Sequence, residues 1–201
     1  LITTCGVCVD IDLTCNTNSG GTGAGNIRTV SQNGVSARIS AFSRTDADGA
    51  WKTAYLGSYS GGLGVTDTSE DGSSPSHAVD NVGGRDNYIL FEFDRAVVLD
   101  SAFLGWVSGD SDMQVWIGTA NNPYANHLTL SDTLLSGMFT EVNDTTLSST
   151  RWADVNGGGL AGNVVIIAAS TADTTPEDYF KVQKLDLCTP ACGLTASIGD
   201  R

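Results

Sequence analysis

From residue 35 the chain alternates with a period of two. Val35, Ala37, Ile39 and Ala41 fall on one side, and Ser36, Arg38, Ser40 and Phe42 on the other, as in a strand with one buried face. "WKTAYLGSY" at 51–59 reads as a second strand and "GGLGV" at 61–65 as a short third. Further on, Ile89, Phe91 and Phe93 share one face, while Tyr88, Leu90, Glu92 and Asp94 share the other. The apolar run 96–107 has the length of one or two strands, and "DYFKVQKLDL" at 178–187 alternates again. "NVVIIAAS" at 163–170 is apolar throughout, which predicts a strand buried on both faces. Turn-forming clusters at 44–49, 67–76, 108–111, 121–126 and 156–162 separate these runs. No segment carries an apolar stripe of helical period with caps at its ends. The pattern predicts an all-β fold, a jelly-roll-like two-sheet sandwich over 26–187.

Composition sharpens this picture. Hydrophobic residues are 40% of the 201 and charged residues only 16%, with 24 glycines, a mixture that suits short strands and turns better than helices. The 10 basic and 23 acidic residues leave a net charge of -13. That excludes nucleic acid as a partner, since phosphate binding needs clustered Lys and Arg. No stretch approaches the roughly 18 apolar residues of a membrane span. Of the acids, 19 are Asp and 4 are Glu, and Asp is both a turn former and a short-reach ligand for hard cations.

Cysteines stand only near the two ends: Cys5, Cys8 and Cys15, then Cys188 and Cys192. One reading pairs Cys5 and Cys8 with Cys188 and Cys192 around zinc. The other ties the termini by disulfides in an oxidising compartment, which an acidic, Lys-poor, Ser- and Asn-rich chain favours. Spacing does not fix the pairing, and an odd count leaves one thiol free or open to an intermolecular bond. The glycine-rich segment 16–26 reads as a linker, so residues 1–25 are expected to be a cysteine-bearing arm and 188–201 a cysteine-bearing tail. The chain opens without a basic and apolar leader, so a secreted protein would have lost its signal peptide already.

Two places carry candidate chemistry. In "HAVDNVGGRDNY", Asp80, Asn81 and Asp86 offer oxygen ligands and Gly83-Gly84 lets the backbone turn, as a Ca²⁺ site requires; the same residues also make an ordinary Asx-turn. Asp110 and Asp112 are further oxygen donors. In "GDSDMQVWIG", strand alternation points Met113, Val115 and Ile117 to the core and sets Asp112, Gln114 and Trp116 together on the other face. An aromatic ring beside amide and carboxylate groups suits a sugar, and Trp106 is a second such platform. Acid–base catalysis finds little support. Glu70, Glu92, Glu141 and Glu177 are scattered, whereas a glycosidase needs two carboxyls at a set separation. His77 and His127 have no G-x-S-x-G elbow to serve.

"GGLGV" followed by "SPSHAVDNVGGRDNYILFEFDRAVVLDSAFLGWVSGDSDMQVW" is similar to a family of bacterial surface proteins sorted by exosortase and bearing a C-terminal PEP-CTERM anchor. The resemblance rests on Gly62 to Val65, His77 to Asn81, Ile89 to Phe93, Gly105-Trp106 and Asp110 to Asp112. It covers about 61 to 118 and extends weakly to 178–185. The chain departs from the family after Cys192, where no Pro-Glu-Pro signal, apolar anchor or basic tail follows. The resemblance implies a secreted Gram-negative protein of the cell surface, extracellular polysaccharide or biofilm matrix.

These readings combine into one expectation. The chain is a non-catalytic, secreted surface or matrix structural protein, calcium-stabilised and self-assembling. A calcium-dependent carbohydrate-binding module is the alternative, and a jelly-roll glycosidase the second alternative.

Overall fold

The computed structural model describes residues 6–70, 77–172 and 175–190. Among them are thirteen strands and one short helix: β1 (Cys8–Asp12), β2 (Thr17–Ser19), β3 (Ile27–Gln32), β4 (Val35–Thr45), β5 (Trp51–Tyr59), β6 (Gly62–Thr66), β7 (Val79–Asp80), β8 (Arg85–Val107), β9 (Met113–Gly118), α1 (Asp132–Ser136), β10 (Phe139–Asn143), β11 (Arg151–Asp154), β12 (Gly162–Ala169) and β13 (Tyr179–Cys188). The chain is all-β, as its alternation predicts. Asn33 and Gly34, both at positive φ, make the two-residue turn of the β3–β4 hairpin.

Where the sequence suggests separate strands over 88–94 and 96–107, one 23-residue strand runs through. The N-terminal half of β8 pairs with β4 and β12, and its C-terminal half with β13 and β11. Between the halves, Asp94, Arg95 and Ala96 are exposed. There β8 doubles back, so both its ends lie at the same end of the molecule. Asp80 pairs with Tyr179, one residue from the Phe180 that pairs with Val107. The Asp80 carboxylate also accepts from Asn87 Nδ2 at 3.1 Å, near the start of β8. Because one strand belongs to both halves, the order β8–β13–β6–β5–β4 returns to β8. The hydrogen bonding is therefore that of a barrel with extra strands rather than of two independent sheets.

The main core fills this barrel with Ile39, Leu56, Leu63, Ile89, Phe91, Phe93, Leu104, Val115, Ile167 and Phe180 among its residues. A second, smaller core covers the outer face of β8, β9 and β12. There Tyr88, Leu90, Trp116, Val164 and Ile166 pack against Leu130 and Leu135 of the 119–138 crossover. β12 thus has apolar neighbours on both faces, which explains its unbroken apolar run. Glu92, fully buried beneath the crossover, pins it by accepting from Leu128 N at 2.6 Å and by pairing with His127 Nδ1 at 2.6 Å. Helix α1 begins at the N-cap Ser131, whose hydroxyl accepts from Leu134 N. With five residues it is too short to write a helical stripe into the sequence.

The N-terminal region differs from the expected arm and linker. β1 lies along β13, with Cys8 opposite Cys188, and these two form a disulfide across 180 residues of sequence. Their sulfurs are therefore not available as zinc thiolates. Cys15 is an exposed free thiol, while Cys5, Cys192 and the tail beyond 190 lie outside the described residues. Within the glycine segment β2 pairs with β3. Asn26, fully buried, uses its side-chain amide like a strand residue: Nδ2 donates to Leu56 O at 3.0 Å and Oδ1 accepts from Leu56 N at 2.8 Å. The glycines turn the chain into this contact rather than leaving it loose.

The chain-entropy value of a bridge closing so long a loop is about 5 kcal/mol, and measured losses run about 2–5 kcal/mol. Replacing Cys8 and Cys188 together by Ser is expected to lower the unfolding free energy within that range. Urea denaturation of the oxidised and double-Ser proteins measures it. An unchanged midpoint would mean that this bridge adds nothing measurable to the pairing of β1 with β13.

Candidate functional site

The doubling of β8 brings many turns to one end of the barrel. The segments before and after β8, after β6, after β12 and before β13 all meet there, and turns in this chain are rich in Asp. Asp67, Asp80, Asp110, Asp112 and Asp178 are each at least nine-tenths buried at this end. Burying carboxylates together is costly unless hydrogen bonds or a cation compensate.

Asp110, Asp112 and Asp178 form the tightest group. One oxygen from each lies within 4.8 Å of the others. Backbone bridging sets the spacing: Asp110 pairs with Asp178, and Tyr179 N donates to Asp110 O at 3.2 Å. Asp178 Oδ1 accepts from Asp112 N at 2.7 Å, and its Oδ2 from Asn81 Nδ2 at 3.0 Å. Asn81 also accepts from Asp178 N at 3.0 Å, so the amide after β7 orients the carboxylate before β13. Asp112 Oδ1 accepts from Thr145 N at 2.6 Å. Asp110 Oδ1 takes Ser111 N at 2.8 Å, and among the described residues its second oxygen accepts no hydrogen bond. Arg151 stands behind the group, held by Ser111 O at 2.6 Å and by Asn143 Oδ1 at 2.6 Å. Burial lowers its pKa, and the charges of Asp112 and Asp110 oppose that shift.

Beyond Tyr179 lies a cavity of about 260 Å³, lined by Asp67, Glu70, Asp80 and Tyr179 with Ser69, Val82 and Gly83. Burial, reinforced by the Glu70 charge, pushes the Asp80 carboxyl up to about 8. Glu70 is also raised, chiefly by burial. Asp67 Oδ1 is held by Ser69 N at 2.6 Å.

The five expected oxygen ligands are thus divided among three places. Asp110 and Asp112 come together and Asn81 supports them through Asp178, but Asp80 faces the neighbouring cavity. Asp86 lies elsewhere again. Neighbours along a strand point to opposite faces, so with Asn87 turned toward Asp80, Asp86 turns outward. There its carboxyl is pushed up to about 6 by burial and by Asp46, with Arg44 opposing. Asp178, absent from the sequence-derived set, completes the cluster. The expected sugar platform also changes. Met113, Val115 and Ile117 do face the core, but Trp116 is only 7% exposed and packs on Tyr88 with ring centroids 5.7 Å apart. Gln114 is bound to Thr140 and Thr171. Trp106 remains half-exposed. Comparison with protein families, with curated proteins and with solved structures finds no match to this chain.

Asp80 and Asp86 have folded pKa values above those of an unfolded Asp, near 3.9. Their contribution to stability is complete below about pH 4 and is lost as pH rises through about 6 and about 8. With chelator present, the unfolding free energy from urea titrations is expected to fall between pH 5 and pH 8.5. Asp80→Asn, which keeps an acceptor for Asn87, is expected to flatten the part between pH 6 and 8. A wild-type slope retained in that variant would remove Asp80 as the cause.

Proposed function

We propose that the chain is a non-catalytic structural protein of the bacterial cell surface or extracellular matrix, with one Ca²⁺ locking the acidic end of its barrel. The observation that carries this reading is the buried group of Asp110, Asp112 and Asp178. Calcium takes oxygen ligands at roughly 2.3–2.6 Å, so oxygens sharing one ion stand no more than about 5 Å apart, and one oxygen from each of the three carboxylates lies within 4.8 Å of the others. An ion there would cross-link the turn after β8 to the start of β13. Through Asn81 and Thr145 it would also reach the turn before β8 and the segment after β10.

Several features support a secreted setting. The Cys8–Cys188 bridge fits an oxidising compartment, and the likeness of 61–118 to exosortase-sorted surface proteins points the same way. In this reading the doubled β8 makes the body a jelly-roll-like sandwich, its two halves facing across the main core. Self-association would use the strands that end the sheet order, β10 and β2, each of which has one strand partner among the described residues and could pair with another copy along its other edge, and the exposed Cys15 thiol. Extracellular polysaccharide is the partner such a matrix protein would meet.

A ligand at 100 times its Kd stabilises by about 2.7 kcal/mol, worth roughly 5–10 °C in Tm for a chain of this size. Calcium is expected to raise the melting temperature by that order and chelator to reverse it. Asp110→Asn keeps the acceptor for Ser111 N while removing a charge, and should abolish the response with little change to the calcium-free melt. Equal melting of both proteins with and without calcium would sink the calcium lock. Light scattering of the oxidised protein tests assembly separately: large species that shrink with reductant or chelator support it, and a monomer near 20.9 kDa throughout rejects it.

A further inference from the structure

We propose that the outer face of β5, β6, β13 and β8 binds a carboxylated sugar chain, with the Lys181 ammonium as its anion contact and Trp106 and Tyr59 as its apolar walls. Lys181 stands directly across the β13–β8 pairing from Trp106. Its Nζ lies 4.3 Å from the Trp106 ring centroid and 4.9 Å from that of Tyr59, so both rings flank one cation.

Glycines in the surrounding sheet seat these side chains. A Cβ on Gly57 would come within 2.2 Å of the Tyr59 hydroxyl, one on Gly61 within 2.6 Å of Trp106 Cβ, and one on Gly105 within 2.4 Å of Gln183 Oε1. Three glycines thus let Tyr59, Trp106 and Gln183 pack close against the sheet backbone. On the intervening strand β6, Gly64 leaves room for the Lys181 stem and the His77 carbonyl, since a Cβ there would come within 3.3 Å of Lys181 Cε and 1.8 Å of His77 O. His77 stacks on Tyr59 at 5.3 Å and braces it.

Charge selects the ligand. In a chain with net charge -13, Lys181 makes no ion pair among the described residues. Burial lowers its pKa with no carboxylate acting against the shift. A neutral sugar would leave this half-buried ammonium without an anion. A uronate supplies a carboxylate for Lys181, C–H faces for the rings and hydroxyls for Gln183. An acidic peptide fits less well, because β6 and β13 are interior strands whose backbone groups are already paired. The net charge does not forbid the contact, since at about 0.15 M salt charges beyond about 8 Å are largely screened.

This surface lies apart from the acidic cluster and is tested apart from it. Oxidised protein is titrated with oligogalacturonate in chelator at about 0.15 M salt, following heat and tryptophan fluorescence. Saturable binding is expected, weakened about tenfold or more in Lys181→Gln, as loss of a charge-assisted contact implies. Lys181→Arg should retain it, and Trp106→Ala should lose it. Thermal melts of the variants confirm that each is folded. A neutral oligosaccharide and a polyglutamate peptide should give no comparable signal. Absence of uronate binding, equal binding of the peptide, or binding indifferent to Lys181→Gln would each overturn the proposal. None of these outcomes bears on the calcium response of Asp110.

Discussion

The fold depends on β8 doubling back at Asp94–Ala96. That bend lets one strand pair with β4 and β12 in its first half and with β13 and β11 in its second. The core residues Ile89, Phe91 and Phe93 then face Leu99, Ala102 and Leu104 of the same strand's other half across a shared interior. Everything else is placed relative to it. The terminal disulfide adds β1 to the outside of β13, and the 119–138 crossover caps the outer face that β8 and β12 leave apolar.

The same bend creates the electrostatic problem at the far end. Both ends of β8 and the starts of β9 and β13 meet where the connecting turns use Asp. Local turn chemistry favours Asp at each of these places separately, but assembly buries the carboxylates together. The fold meets the cost in two ways. Asp80 and Asp86 hold their protons to higher pH, whereas Asp110, Asp112 and Asp178 are wrapped in backbone and amide donors, with Arg151 behind. A calcium ion would be the natural further compensation, because its charge acts on all three carboxylates at once.

The candidate site was legible only in pieces. Asp110 and Asp112 stand out as an Asp-Ser-Asp segment after an apolar strand, and both belong to the cluster. Asp80, Asn81 and Asp86 look equally ligand-like in sequence, yet a peptide turn and one step of strand alternation send them to different surroundings. Asp178 gives no sign in the chain, since it is merely the residue before an alternating strand. Its role comes from a bridge to Asp110 across 68 residues of sequence. Trp116 illustrates the converse. Alternation correctly turns it away from the main core, but it cannot report that a distant crossover covers that second face.

By itself the sequence determined the all-β class, the rough position of several strands and which of their residues face the main core. These follow from the period-two pattern, a local property of side chains on a pleated backbone. It also determined a surplus of Asp in the turns. Only the tertiary structure decided that β8 serves both halves of the barrel, that Cys8 finds Cys188, that the glycine segment is strapped to β5 through Asn26, and that Asp178 joins Asp110 and Asp112. Each of these is a contact between residues far apart in the chain. Such contacts are selected by closing a shared core and pairing buried polar groups, and no local pattern carries that information.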